Sequence, residues 1–364
     1  MRSIVSFVCL QMIIVALLMP ACAGIRWKCA DRFGQLEIMG IACDGDEDKR
    51  GNIVLNIPRF VDGVEVAKIA DGAFRGNQEI TSVFVPSNVN CIGSEAFLAC
   101  SNLTTLVLEP SDIGSSLSIL SMAFANCVRL KNIDVKTRCI SVSSYAFANC
   151  TSIEEAVLSE CCEMCESSFC GCKKLARVDM AMYSDELLSA FWGCDALKTI
   201  SISDENPMYR VVDGALVYKN HAWLLRYPSG WAEEKVDLHF HPELIFPYAF
   251  ESCQAKEIVL REGLRAIGKA AFSRCVNIRE ISIPSSVEAI DDYAFAGCYN
   301  LVTVAFKGDR LPEVGENVFP ANVKFKGDRL SPEHFIALER SKMHVHQNSS
   351  LDGSGSAKVQ EAKR

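Results

Sequence analysis

The chain has 364 residues, a formal net charge of −8 and 49% hydrophobic residues. Its charges are spread over many short blocks and form no basic stripe, which excludes nucleic acid as a partner class. Length alone would predict two or three globular domains, but a pattern that recurs every 22 or 23 residues predicts one elongated repeat domain instead.

Residues 1–23 have the features of a signal peptide, because Arg2 precedes an apolar run over 4–19. The run is shorter than the about 20 apolar residues of a membrane span, so an uncleaved anchor is the less favoured alternative. The Ala-Cys-Ala sequence at 21–23 suits ordinary signal peptidase, whereas residues 18–22 resemble a bacterial lipobox that would leave a lipid on Cys22. Both alternatives predict an exported protein, either secreted or held at the cell surface.

Residues 24–72 are expected to form an N-terminal cap. Alternating apolar runs on either side of a charged turn predict a strand hairpin there. Such a hairpin would cover the core and the strand edge that the first repeat would otherwise expose. Since exported proteins meet an oxidising environment, Cys29 and Cys43 are a candidate disulfide pair in this cap.

Residues 73–203 repeat one pattern, in which an Ala-Phe pair is followed three residues after the Phe by a Cys and then by an L-x-x-L-x-L strand. An apolar residue also stands five positions before the Phe, as at Ile69 and Ile92. A period this short cannot bury its own apolar face, so neighbouring copies must stack into one continuous core. The pattern predicts a leucine-rich-repeat solenoid of short parallel strands, an α/β repeat that is largely β.

The copies resemble the BspA-type leucine-rich repeat, with a pattern of roughly I-x-x-x-A-F-x-x-C-x-x-L-x-x-I-x-I-P-x-x-V. The stretch 281–298 matches it almost without departure, and in-phase matches cover roughly residues 50 to 328. The resemblance implies a family of secreted or surface proteins, some of them adhesins. It does not imply one ligand.

Alternate residues of the repeated strands are expected to point outward from one sheet, which is the natural binding surface. The candidate binding residues on this face are Phe84, Val107, Asp134, Glu155, Arg177 and Asp179. A sheet that is merely solvated would show the same alternation.

The repeat is interrupted between Phe191 and Phe250, which lie 59 residues apart. Residues 204–232 contain two β-rich runs joined by a Lys-Asn-His turn, so they predict an inserted β-hairpin. BspA-type proteins often carry a similar V-D-G-x-L insertion. Trp223 is a candidate binding residue if the hairpin exposes it; Tyr227 and Trp231, together with Trp223, could instead pack the hairpin against the stack.

Repeats resume after the insertion. Residues 233–328 are expected to hold further leucine-rich repeats and a C-terminal cap. Residues 329–364 form a C-terminal extension, whose polar composition predicts a disordered tail from about 341.

The 18 cysteines raise the question of a metal site, since thiols cluster at 161–172. Alignment of the repeats assigns most of the cluster to core positions and leaves Cys162, Cys165 and Cys170, so no metal ligand is assigned. The eight in-phase cysteines are expected to stay free, because parallel rungs hold their Cβ atoms too far apart for a disulfide. They would act as small hydrophobes with a weak donor.

Catalysis has little support in the sequence. The pairs His239 and His241, and His344 and His346, have no carboxylate or cysteine at ligand spacing, and no catalytic residue or cofactor is assigned. The remaining hypotheses are two. One is an adhesin-like extracellular protein that binds a host protein, a matrix protein or a glycan. The other is a structural, self-associating envelope protein without a dedicated ligand. Membrane contact is expected only through a lipid on Cys22, and the oligomeric state stays open.

Overall fold

The computed structural model describes residues 25–32, 35–43, 52–110, 116–134, 139–158, 161–180, 190–231, 233–327 and 329–342. The predicted signal peptide with Cys22 and the tail from residue 343 lie outside these ranges. Within them the chain is largely β and winds into a solenoid whose repeats supply one strand to each of two sides. The strands are numbered β1 to β27 in chain order.

The L-x-x-L-x-L segments form the front side, where the strands pair in parallel within four hydrogen-bonded groups. The front strands are β3 (Ile53–Asn56), β6 (Ile80–Val85), β8 (Thr105–Leu108), β10 (Asn132–Asp134), β12 (Glu155–Leu158), β14 (Arg177–Met180), β15 (Thr199–Ile202), β19 (Lys235–Val236), β21 (Glu257–Ile258), β23 (Glu280–Ile283), β25 (Thr303–Phe306) and β27 (Lys324–Lys326).

The segments that contain the isoleucine five residues before each Phe form the rear side, in one sheet of eight strands and one of seven. The rear strands are β1 (Ile25–Arg32), β2 (Gln35–Cys43), β4 (Phe60–Val61), β5 (Val64–Ile69), β7 (Cys91–Ile92), β9 (Ser116–Ile119), β11 (Cys139–Val142), β13 (Cys161–Met164), β16 (Tyr209–Val212), β17 (Ala215–Tyr218), β18 (Trp223–Arg226), β20 (Leu244–Ile245), β22 (Ala266–Ile267), β24 (Ala289–Ile290) and β26 (Glu313–Val314).

The Ala-Phe pairs lie on a third side, in turns that link the rear strand of each repeat to its front strand. The phenylalanine rings stack along the solenoid with centroids 5.0 Å apart from Phe74 to Phe97 and 5.1 Å apart from Phe97 to Phe124. Each anchor amide also reaches across to the next rung, as where the Phe97 N–H donates to the Ala123 carbonyl at 2.7 Å. The anchors therefore hold successive turns together through both ring contacts and backbone hydrogen bonds.

The inward residues of the front strands are buried, as the sequence predicted. Leu103, Leu106 and Leu108 of one rung are all buried, and so are Leu175, Val178 and Met180 of another. Ile202 is half-buried. A strand with one buried and one exposed face reads as an alternating pattern, which is why the sequence identified these positions.

The two ends of the described stack differ. At the N-terminal end β1 and β2 pair antiparallel, and β2 then begins the parallel rear sheet by pairing with β5. At the C-terminal end a helix, α1 (Pro332–Arg340), follows β27 in the predicted C-terminal extension, and its Leu338 is buried against the core. No helix in the described ranges has the length and apolar character needed to cross a membrane.

Candidate binding surfaces

The front side brings six of the seven predicted binding residues onto one face. Phe84 of β6 lies beside Val107 of β8 in the parallel register. Asp134, Val157 and Asp179 form one row across the next three strands, and Glu155 lies beside Arg177 in the neighbouring row. The structure describes the backbone of Asp134 but not its side chain.

The front surface is mixed in character. Glu155 and Arg177 are exposed, whereas Phe84, Val107 and Asp179 are half-buried. The Arg177 guanidinium lies 3.9 Å from the Asp179 carboxylate. A pair that is this accessible to solvent contributes at most about 1 kcal/mol to folding, so these charges are available to a partner.

Trp223 lies on the rear side, away from the other six residues. The inserted segment has three antiparallel strands, β16, β17 and β18, and β18 then pairs in parallel with β20 of the rear sheet. Asp213 and Gly214 both have positive φ and fold the first predicted run into two strands. The structure thus adds a third strand to the predicted hairpin and places it within the stack.

Two of the three aromatic residues of the insertion pack inside the protein. Tyr227 is only 2% exposed. Trp231 is half-buried and lies directly over Gly214, where a Cβ would come within 1.9 Å of its ring. Trp223, by contrast, belongs to neither of the two large core clusters. Of the three, only Trp223 keeps a surface role open.

Tyr227 replaces an anchor phenylalanine, a role that the sequence analysis missed. Its ring stacks on Phe250 with centroids 5.2 Å apart, and its N–H donates to the Ala249 carbonyl at 2.7 Å, as the other anchors do. The signal was present in the spacing, because Tyr227 stands 23 residues before Phe250. The Ala-Phe pattern does not include Tyr227, because Arg226 occupies the alanine position.

Arg226 is buried together with Glu251 where the two halves of the solenoid meet. The Arg226 Nη1 donates to the Tyr248 carbonyl at 2.7 Å and lies 3.6 Å from the Glu251 carboxylate. Its Nη2 donates to the Phe191 carbonyl, and the Gly193 N–H donates to Glu251. Burial raises the pKa of Glu251, an effect that the Arg226 charge opposes.

The in-phase cysteines are buried and free, which confirms their prediction as free thiols. Seven of them donate from Sγ to the carbonyl of the anchor in the preceding rung at 3.0–3.2 Å, namely Cys100, Cys127, Cys150, Cys172, Cys194, Cys275 and Cys298. Burial raises the pKa of the Cys150 thiol to about 12 and that of Cys100 to about 11. Such thiols are poor nucleophiles and poor metal ligands at neutral pH.

The structure does not bring together the two cysteines that were predicted to pair. In the β1–β2 register Cys29 lies opposite Ile38, and Cys43 lies opposite Ile25 at the other end of the hairpin. Four positions along a strand exceed the Cα separation of a disulfide. The Cys29 thiol is free. The hairpin predicted around the charged turn was also wrong in its pairing, because β2 pairs with β1, and β3 joins the front side by pairing in parallel with β6.

The described residues hold no group of three or more metal-ligating side chains. The side chain of Cys162, one of the three cysteines left over by the repeat alignment, is outside the described residues. A cavity lined by Leu238, Phe250 and Leu260 measures about 10 Å³, which is the space of about one water molecule. The candidate binding residues lie outside this cavity, on the surfaces of the two sheet sides.

Comparison with known families gives a match to the model described as BspA type leucine-rich repeat region, in six copies, over residues 56–176, 109–208 and 234–332. No curated protein shows a significant match. Among solved structures, the pneumococcal vaccine antigen PcpA is similar, with a TM-score of 0.65 and 20% identity over 85% of each chain. A leucine-rich cell surface protein from Faecalibacterium prausnitzii has a TM-score of 0.54 and 20% identity, over 89% of this chain and 98% of that one. At these identities the likeness concerns the fold.

Proposed function

Since the chain belongs to the BspA-type leucine-rich repeat family, we propose that it is a secreted or surface-exposed interaction protein that binds an extracellular protein or glycan. The observation that carries the proposal is the front side, where Phe84 lies beside Val107 on β6 and β8, and Glu155, Arg177 and Asp179 lie on the paired strands β12 and β14. A broad surface of this kind suits a macromolecule better than a small ligand, which needs a concave pocket.

Export to the surface is part of the proposal. It is supported by the apolar run at 4–19 and by the names of the two similar structures, a vaccine antigen and a cell surface protein. Mass spectrometry of the protein recovered from its native cells tests the two forms of export. A mature chain that begins after Ala23 means simple secretion, and a lipid on Cys22 means attachment to the membrane.

Capture of matrix proteins and glycans by the immobilised protein tests the binding role. The test variant is Phe84→Ser combined with Glu155→Lys, which changes the front surface of the first half of the stack. The matched control is Glu280→Lys, because Glu280 and Glu155 both begin a front strand with the same alternation of exposed and buried residues. We expect the double variant to lose at least tenfold in affinity and the control to stay within twofold.

Equal binding by the double variant and the wild type would remove the front surface as the site. Absence of any captured partner, together with concentration-dependent assembly in sedimentation experiments, would favour a self-associating structural protein instead.

A further inference from the structure

An apolar row crosses the rear sheet of the second half of the solenoid. Parallel register aligns Trp223 with Leu244, Ala266 and Ala289, which we call the rear strip. All four residues are half-buried. The strip spans three steps of about 4.8 Å, or about 14 Å, along the solenoid axis.

The corresponding row of the first half is polar. There the register aligns Lys68 with Cys91, Ser118, Ser141 and Glu163. Both rows occupy the same outward position of the rear strand in their repeats. The fold therefore does not require apolar residues at this position. The apolar character of the rear strip is therefore specific to the second half of the chain and is not imposed by the repeat.

Aromatic rings surround the first residue of the strip. The His221 ring stacks on the Trp223 indole with centroids 4.2 Å apart and planes 12° apart. Tyr218 and Phe246 approach the same indole at 5.6 Å each. Faces of aromatic rings carry partial negative charge and attract cations.

Exposed carboxylates border the rear strip. Glu243 directly precedes Leu244, Glu288 precedes Ala289, and Glu313 continues the row after Ala289. Arg265, which precedes Ala266, is paired with Glu288 at 3.1 Å. Glu313 forms no ion pair within the described ranges. The surroundings of the strip therefore favour a positively charged partner and repel an anionic one.

We infer that the rear strip binds a basic polypeptide segment of a partner protein, whose Lys or Arg side chains lie over the aromatic rings and along the apolar row. Lysine and arginine have apolar stems that cover apolar surface while their charged ends reach carboxylates, so the strip offers both kinds of contact. A second copy of this chain fits less well, because face-to-face strips would place carboxylates opposite carboxylates. This inference rests on the proposed interaction function and names a partner chemistry for a second surface.

Fluorescence anisotropy of a labelled octa-arginine peptide with the full chain tests the inference. We expect Trp223→Ala to raise the Kd about tenfold, since loss of a desolvated cation–π contact has that magnitude. The matched control is Trp192→Ala, because Trp192 is 47% exposed on a turn of the first half. Its Kd should stay within twofold of the wild-type value.

A second pair of variants tests the carboxylates and leaves the Trp223 indole and its packing unchanged. Glu243→Gln combined with Glu313→Gln should weaken binding and flatten its dependence on salt, whereas Glu154→Gln combined with Glu280→Gln should do neither. All four glutamates are exposed, so each variant should fold.

Three results would overturn the inference. In the first, Trp223→Ala and Trp192→Ala change the Kd for octa-arginine equally. In the second, the protein binds neutral maltohexaose, and Trp223→Ala abolishes that binding while octa-arginine still binds. In the third, the protein forms a dimer that Trp223→Ala dissociates. Macromolecular capture that the front-side double variant leaves unchanged, with octa-arginine binding that Trp223→Ala still weakens, would contradict the proposed function alone. Capture that remains normal while octa-arginine fails to bind would contradict this inference alone.

Discussion

At the scale of single residues, rungs within each half of the solenoid are joined by stacked rings and by thiol hydrogen bonds. The rings of Phe124 and Phe147 stack at 5.3 Å, and the Cys150 thiol donates to the Phe124 carbonyl at 3.1 Å. Both residue types were identified from spacing alone, because the repeat places them at fixed offsets. The acceptor of the thiol could not be identified in this way, since it belongs to another rung, 26 residues earlier.

The anchor rings should dominate local stability. Phe147 is fully buried between two neighbouring rings, so Phe147→Ala should lower the free energy of unfolding by about 3–5 kcal/mol. Lys173→Ala is the control, because Lys173 is exposed and its loss should cost within about 0.5 kcal/mol. Urea titration measures both values. Similar midpoints for the two variants would contradict the assignment of Phe147 to the core.

The buried thiols should make the fold sensitive to alkaline pH. Burial raises the pKa of Cys150 and that of Cys194 from the ordinary 9.0 to about 12. Between pH 9 and 12 the unfolded chain therefore loses thiol protons that the folded chain keeps, and stability falls as pH rises. At pH 10 each such thiol should lower the free energy of unfolding by about 1.4 kcal/mol relative to pH 7.

Urea titrations in reductant at pH 7, 9 and 10 measure this effect. Lysines and tyrosines also titrate in this range, so the comparison with Cys150→Ala isolates the thiol. The variant should lose less stability than the wild type between pH 9 and 10. Parallel pH dependences of the two proteins would show that Cys150 does not contribute.

At the scale of the elements, alternation in the sequence identified the front strands and their outward residues but assigned Trp223 only to a hairpin. The side of the solenoid on which Trp223 lies depends on the pairing of β18 with β20, a contact between segments that share no sequence pattern. The third strand of the insertion was missed because the run over 209–218 has strand character on both sides of its Asp-Gly turn.

A glycine fixes the end of the insertion, and it stands at the position that an in-phase cysteine occupies in other repeats. Gly230 stands three residues after Tyr227, and a Cβ there would lie 2.6 Å from the backbone of Ala196. Gly230→Ala must therefore displace backbone and should lower the free energy of unfolding by about 1–3 kcal/mol. The amide of Gly230, which donates to the Leu197 carbonyl at 2.7 Å, should exchange faster with deuterium.

Gly76→Ala is the control for the glycine substitution, since nothing lies within 4 Å of its added Cβ and only its positive φ is unfavourable. Its cost should be about 1 kcal/mol, without faster exchange at Gly230. An unchanged exchange rate in Gly230→Ala would show that the insertion tolerates displacement at this point.

At the scale of the whole molecule, the insertion divides the apolar interior. One core cluster runs from the N-terminal cap to Leu216 and Leu225, and a second begins with Ala215, Val217 and Leu224. Alternate residues of β17 and β18 thus face the two halves, and the insertion forms a buried layer between them. Periodicity predicted the stack on each side of this layer, but it could not predict the layer, because the insertion does not repeat.

At this junction Arg226, paired with Glu251, donates to the anchor carbonyl that a cysteine thiol reaches in other rungs. The pair should therefore determine whether the two halves unfold in one cooperative transition. Arg226→Leu would remove the donor to the Phe191 carbonyl and leave the fully buried Glu251 without its main counter-charge. Removal of one partner of a buried pair costs about 3–5 kcal/mol, whereas replacement of both by apolar residues costs much less. We therefore expect Arg226→Leu to separate urea unfolding into two transitions, one for each half.

Arg226→Leu combined with Glu251→Leu should restore a single transition at higher urea concentration than the single variant. Arg265→Leu is the control, because its pair with Glu288 is exposed and contributes at most about 1 kcal/mol. Hydrogen exchange should be accelerated at Gly193 and Tyr227 in Arg226→Leu, since these amides lie on either side of the junction. A double variant less stable than the single one would mean that the buried charges do not hold the two halves together. The halves would then be coupled mainly by apolar packing against β17 and β18.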